Sequence, residues 1–239
     1  MAKLSIIIPV VNEADHIVPA LQALSPLRAR GAELIVVDGG STDDTVARAA
    51  PLATFVIASP RGRAIQMNAG ATIASADVLL FLHADTRLPS DADQSVLEGL
   101  ERSRRAWGRF DVAIEGRHPL LPLVAASMNL RSRLTGITTG DQAMFMRREA
   151  FAATGGFPEI ALMEDITFAR NLKRVSAPLN LRARVTTSGR RWERRGVVRT
   201  IILMWRLRLA YFLGAKPEDL ARRYGYRPGS PDEAERNPG

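Results

Sequence analysis

Four acids in this sequence stand where their type and surroundings could do chemistry: Asp38, Asp85, Glu164 and Asp165. Asp85 follows His83 at the end of Val78-Leu79-Leu80-Phe81-Leu82, an uninterrupted apolar run of strand length. Such a run reads as a strand buried on both faces of a sheet covered by helices, and open α/β sheets bind ligands outside the carboxyl ends of their strands. There Asp85 could supply a hard oxygen to a divalent cation neutralising a diphosphate. Alternatively, Asp85 and Thr86 only begin a turn that Pro89 continues. Asp38 closes a second apolar run, Glu33 to Val37, ahead of Gly39-Gly40-Ser41-Thr42; it can accept a hydrogen bond from a ribose or base, or simply cap that turn. Glu164 and Asp165 open a helical pattern running from Ile166 to Arg174. A carboxylate there can take a proton from a hydroxyl within hydrogen-bond reach, or only complement the helix N-terminus.

These acids need a sheet and helices to position them. Leu4 to Val11 reads as a first strand, with Asn12 or Asp15 capping a helix supported by Ile17, Leu21 and Leu24. Glu33 to Val37 is a second strand, after which Ser41 or Thr42 can cap the next helix. Thr54 to Ala58 is a third, leading through Ser59-Pro60-Arg61-Gly62-Arg63 into a helix. Two arginines before a helix N-terminus suit a phosphate or a nucleotide edge. Neither GxGxxG nor GxxxxGK[ST] occurs there, which disfavours dinucleotide enzymes and P-loop ATPases. Gln66 and Asn68 on that helix read equally well as a solvated face. In the second half, Trp107 to Glu115 alternates like a strand, Leu123 to Leu130 reads as a helix, and Gly140 to Met146 as another strand.

The chain has 239 residues, of which 46% are apolar, enough for one large α/β domain with a C-terminal attachment. With no cysteine, disulfides, thiolate metal sites and a cysteine nucleophile are excluded. The start, Met1 to Ser5, runs directly into a strand, so no signal peptide and a cytoplasmic location are expected. The net charge of +8 attracts phosphorylated ligands, anionic lipid or nucleic acid; no nucleic-acid motif accompanies it, so nucleic acid is not an expected partner.

In order and spacing, Ser5 to Glu13, Val36 to Asp43, the Asn68-Ala69-Gly70 helix and His83-Ala84-Asp85 resemble the family 2 glycosyltransferases of GT-A fold. More narrowly, Gly62 to Gly70, Arg131 to Gly136, Gly140-Asp141-Gln142 and Arg191 to Gly196 resemble a bacterial subfamily associated with radical-SAM or selenodomain genes, or with arsenosugar synthesis. The resemblance reaches to about Arg227. It implies a Rossmann-like, mixed but mostly parallel sheet flanked by helices, carrying a C-terminal helical extension. The expected divisions are a catalytic domain over 1–189, an extension over 190–227 and a disordered tail over 228–239.

The resemblance also implies roles. Pro9, Asn12, Glu13 and Asp38 match segments that hold the nucleotide base and ribose, with Arg63 and Gln66 closing over the base. Asp85 matches the metal-holding second acid of the DxD motif, for Mn²⁺ or Mg²⁺; His83 replaces the first acid and joins the nucleotide site. Asp141 and Gln142 fall beside the donor sugar or acceptor. Asp165 matches the general base, with Glu164 orienting it, and Arg191-Trp192 resembles the acceptor-binding RW pair without its glutamine. The implied reaction is an inverting, metal-dependent transfer from a nucleotide diphosphate sugar, a UDP-sugar first, to an acceptor hydroxyl.

Two other functions stay open: a nucleotidyltransferase that makes the sugar nucleotide, and a non-catalytic protein that binds a nucleotide sugar or a lipid surface. The apolar run from Val197 to Leu213 is interrupted by Arg199, Arg206 and Arg208, too short for the roughly 20 apolar residues of a membrane span. Packing on the catalytic domain is the favoured role; an oligomer contact and an interfacial helix at the inner face of the membrane are the alternatives.

Overall fold

The computed structural model describes residues 3–225; the tail 228–239, expected to be disordered, lies outside them. The strands are β1 (Ser5–Val10), β2 (Glu33–Asp38), β3 (Phe55–Ala58), β4 (Val78–Phe81), β5 (Thr86–Arg87), β6 (Trp107–Glu115), β7 (Phe145–Arg147) and β8 (Leu179–Ser188). They form one eight-stranded sheet in the order β3-β2-β1-β4-β7-β6-β8-β5. Following the pairings across it, β5 and β7 run against the other six. This is the mixed, mostly parallel sheet expected from the sequence.

The helices are α1 (Ile17–Ala23), α2 (Ser25–Ala29), α3 (Thr45–Ala49), α4 (Arg63–Ile73), α5 (Ala92–Ser103), α6 (Leu121–Thr135), α7 (Arg148–Ala153), α8 (Glu164–Val175), α9 (Arg190–Arg195), α10 (Val197–Phe212) and α11 (Pro217–Tyr224). Side chains alternate across a strand, so each inner strand feeds two cores. Ile6, Ile8, Leu34, Val36 and Leu80 pack with Ile17 and Leu21 of α1 and Val96 and Leu100 of α5. Ile7, Ile35, Val37, Leu79 and Phe81 pack on the other face with Met67 of α4 and Phe168 and Leu172 of α8. Burial on both faces is why β1, β2 and β4 carry no polar alternation.

Close approach sets one residue type on α4. A Cβ at Gly70 would lie 2.5 Å from Ile7 Cγ2 and 2.9 Å from Val37 Cγ2, so a glycine lets α4 rest on β1 and β2. Asn68 beside it exchanges two hydrogen bonds with the Phe157 backbone, donating to its carbonyl and accepting from its N–H, each at 2.9 Å. On the other face Asn129 of α6 does the same for Val112 of β6, at 2.8 and 2.9 Å.

Several expectations are corrected. Neither Asn12 nor Asp15 caps α1, which starts after His16 without a side-chain cap. Asn12, at φ 52°, instead accepts the Thr42 N–H at 2.8 Å. Ser41 and Thr42 do not cap α3 either; Asp44 occupies that position, also without a side-chain bond. Gly140 to Met146 is not one strand: Gly140–Gln142 is a 3₁₀ turn, Ala143 sits at φ 45°, and β7 begins only at Phe145. The Gln142 side chain, accepting from Thr138 Oγ1 at 3.1 Å and donating to Ser132 Oγ at 3.0 Å, draws this segment out of the ladder.

α10 and α11 fold back onto the start of α8, where Leu207 and Leu220 bury Met163 and Ile166. The hydroxyls of Tyr211 and Thr167 meet at 2.5 Å. Among the described residues, no helix is long and apolar enough to cross a membrane.

Candidate active site

The loops after β1 and β2 are stitched together at the carboxyl edge of the sheet. Asn12 N–H donates to Ser41 Oγ at 2.9 Å, Glu13 N–H to Thr45 Oγ1 at 2.7 Å and Ala14 N–H to Asp43 at 3.1 Å. Asp38 is buried; its carboxylate accepts from the N–H groups of Gly40 and Ser41 at 3.1 Å and from the Ser41 hydroxyl. It therefore caps its own turn, whatever else it binds. Pro9 pairs with Val37 in the ladder below this loop pair.

Gln66 is 4% exposed, and Asn68 is held to Phe157, so the solvated-face reading of both is overturned. Gln66 Nε2 donates to the carbonyls of Val10 at 2.9 Å and Val37 at 2.8 Å. Its amide N–H groups are thus spent on joining the ends of β1 and β2, beneath the loops expected to hold the nucleotide.

Arg63, His83, Glu164 and Asp165 line one cleft with Gly140 and Phe157. Arg63 comes from the first turn of α4, His83 from the end of β4, and the two acids from the first turn of α8. Arg63 Nη1 lies 3.4 Å from Glu164 Oε1 across the cleft. Burial raises the Glu164 carboxyl above its usual range, against the pull of Arg63. His83 Nδ1 lies 3.4 Å from Asp141 Oδ1. Burial alone would raise the Asp141 carboxyl, but the hydrogen bond and charge of His83, followed by the charge of Arg63, hold it below its usual range.

Asp165 is fixed by backbone donors: Gly140 N–H to Oδ2 at 3.0 Å and Ile166 N–H to Oδ1 at 2.7 Å. A carboxylate offers about four lone-pair sites, so this leaves capacity to accept a proton. Non-glycine residues with left-handed backbone flank the site segments: Asn12 before Glu13, Ala143 after Gln142 and Met163 before Glu164. Such conformations cost about 1–3 kcal/mol each and collect at functional sites.

Other expected residues stand apart from the cleft lining. Asp85 is exposed beyond His83; its Oδ1 accepts from Thr86 Oγ1 at 3.3 Å, leaving lone pairs for a cation. Among the described residues no three His, Cys, Asp or Glu side chains gather into a metal cluster. Gln142, expected beside the donor sugar or acceptor, is fully buried and bonded to Thr138 and Ser132 in the turn beside Asp141. Trp192, expected beside the acceptor, is partly buried and packs against the first core. Arg191 stacks on the Tyr224 ring at 5.3 Å while its charge reaches Asp141. Sequence reasoning missed the Gly140 N–H and the guanidinium groups of Arg131 and Arg208; the signal for the last was a charge inside the apolar run of α10.

Several solved structures share this fold. TarS of S. aureus, in complex with UDP-GlcNAc, aligns over 78% of this chain and 58% of its own, with TM-score 0.63 and 19% identity. The mannosyltransferase PcManGT of Pyrobaculum calidifontis, with GDP-Man and Mn²⁺, aligns over 93% and 68%, with TM-score 0.63 and 22% identity. Glucosyl-3-phosphoglycerate synthase of Mycobacterium tuberculosis, with Mn²⁺, UDP and phosphoglyceric acid, aligns over 78% and 69%, with TM-score 0.55 and 20% identity. This chain spans only 58–60% of the TarS 1-349 structures. No curated protein matches it. Residues 5–155, more than half of the sequence, match the model described as Glycosyl transferase family 2, and the chain belongs to that family.

Proposed function

We propose that this chain transfers a sugar from a nucleotide diphosphate to an acceptor hydroxyl, with Asp165 as general base and inversion at the anomeric carbon. The observation that carries this reading is the Asp165 carboxylate, oriented by Gly140 and Ile166 N–H groups at the lip of a cleft that Arg63 and His83 also line. As the acceptor oxygen forms its bond to the anomeric carbon, the bond to the diphosphate breaks. The acceptor proton passes to Asp165, and the diphosphate leaves with the electron pair. A single displacement inverts the centre. Glu164, paired with Arg63, orients the acid end of α8 and ties it to α4.

The loops of Pro9, Asn12, Glu13 and Asp38, braced by Gln66, would hold the nucleoside, with Arg63 reaching over it. The nucleotide sugars and nucleotides named in the complexes of structural neighbours support this donor class, a UDP-sugar first. Mn²⁺ or Mg²⁺ fits the site: Asp85 offers an exposed carboxylate with spare lone pairs, while substrate phosphates and water can complete a sphere built on few protein ligands. When bound, such an ion stabilises charge on the leaving diphosphate. The acceptor would approach from the side of Asp141 and α10.

Peripheral contact with the inner face of a membrane is part of the proposal. Val198, Ile202, Trp205, Leu209 and Phe212 form an exposed apolar stripe at helical spacing along α10, with Arg199 and Arg206 exposed beside it. Such a face suits an anionic lipid surface.

The test is transfer itself. Incubation with UDP-sugars and GDP-sugars over an acceptor panel, with NMR of the product, should give an inverted anomeric centre. A retained configuration excludes Asp165 as base in a single displacement.

A further inference from the structure

Two arginines beside the candidate base remain unexplained by the transfer chemistry. Nε and Nη2 of Arg131, on α6, and Nε of Arg208, on α10, are buried without a hydrogen-bond partner. Buried donor atoms without a partner are costly, and folded proteins keep them where something else supplies the acceptor.

Their sequence neighbours tie both helices to the segments that carry the acids. Ser132, next to Arg131, accepts from the Gln142 side chain at 3.0 Å, one residue from Asp141. Leu207, next to Arg208, packs on Met163 and Ile166, which bracket Glu164 and Asp165. Both arginines also feel the charges of Asp141 and Asp165, while burial pushes Arg131 down to about 10 and lowers Arg208 as well.

Two of the three acids nearby already face cations, and the third does not. Glu164 faces Arg63 and Asp141 faces His83, and Asp165 accepts from backbone N–H groups. Two guanidinium groups thus lie within electrostatic reach of one carboxylate that no cation pairs with directly, an excess that an oxyanion would neutralise. Guanidinium forks match carboxylate and phosphate oxygens.

We propose that Arg131 and Arg208 form a binding site for an anionic group of the acceptor, a phosphate or carboxylate, which brings the acceptor hydroxyl to Asp165. This inference rests on the reading of Asp165 as base. The site lies on the α6 and α10 side of that carboxylate, whereas the donor diphosphate is assigned to the mouth of β4 at Asp85.

Calorimetry on the full chain tests it, with inorganic phosphate and malonate as probes, with and without UDP and Mn²⁺. The proteins are wild type, Arg131→Gln and Arg208→Gln. One probe or both should bind wild type at least about 10-fold more tightly than either variant, with UDP affinity unchanged within about twofold. Without ligand, the variants should melt at or above the wild-type temperature, because buried donor atoms without a partner have been removed. The proposal is overturned by equal anion affinity in all three proteins, by no anion binding to wild type, or by both variants melting lower, which would make the arginines structural. Loss of UDP affinity in the same proportion would also overturn it, moving them to the donor. Anion binding that needs both arginines, in a wild type that binds no nucleotide, would retain the anion site and remove the transferase reading.

Discussion

The backbone N–H of Gly140 donates to Asp165 Oδ2 across 3.0 Å, joining a turn between α6 and β7 to the first turn of α8. The same glycine is pressed against His83: a Cβ there would stand 2.4 Å from the imidazole Nε2. One residue therefore sets the direction of the proposed base and the position of the side chain replacing the first acid of the metal motif. Asp165→Asn keeps the shape and removes the proton acceptor. Turnover should fall about 10²–10⁴-fold with nucleotide affinity unchanged, measured by steady-state kinetics and calorimetry.

Gly140→Ala should displace His83 from Asp141 without touching the Asp165 carboxylate. A shift of about 1 Å near the reacting groups can cost about 10²-fold. The expected outcome is a loss of kcat of that order with a native melting curve; unaltered kcat would show that His83 has no positioning role.

Gln66→Ala removes the donors that join Val10 and Val37 at the ends of β1 and β2. Losing bonds to buried carbonyls should destabilise the protein by about 1–3 kcal/mol, seen as a lower midpoint in urea. Nucleotide affinity should fall with it, because the loops above lose their base.

Asp85→Ala should abolish the stimulation of nucleotide binding by Mn²⁺, and chelation should reproduce the effect in wild type. Binding of UDP in the absence of metal should be the same in both proteins, which separates loss of the ion from loss of the nucleotide site.

Acid should weaken one peripheral tie in a defined direction. Asp93 accepts two bonds from Arg30, at 2.8 and 2.7 Å, and this pairing lowers its carboxyl below the ordinary value. The folded state then binds fewer protons than the unfolded one. The stability that the pair contributes is present above the unfolded value of about 3.9 and is lost as pH falls through the lowered folded value. The difference in melting temperature between wild type and Asp93→Asn should therefore be largest near neutrality and shrink below about pH 4.

Strand positions were legible where local pattern decided them. The apolar runs of β1, β2 and β4 and the whole span of β6 read directly, because burial on both faces or alternation leaves its mark within a few residues. The turn at Gly140–Gln142 did not, since it answers in part to the bond that Gln142 donates to Ser132, ten positions away, which a seven-residue window cannot contain. Gln66 and Asn68 were ambiguous for the same reason: their partners, Val10, Val37 and Phe157, lie 29 to 89 positions away. The acids Asp38, Asp85 and Asp165 could be nominated because they stand at ends of periodic segments. Arg131 and Arg208 could not, because only the folded chain shows which of their donor atoms lack a partner.

The exchange of bonds between Asn68 and Phe157 has a mechanical meaning. It clips the loop ahead of α8 to α4, and the contact of Arg63 with Glu164 clips the same two elements again nearer the cleft. Two attachments at separate points brace α4 against α8, so Arg63 on one helix and Glu164 and Asp165 on the other belong to one tied unit. The C-terminal pair α10 and α11 is attached to the same α8 by an apolar cluster and one hydroxyl contact, so one helix carries the clips from both directions.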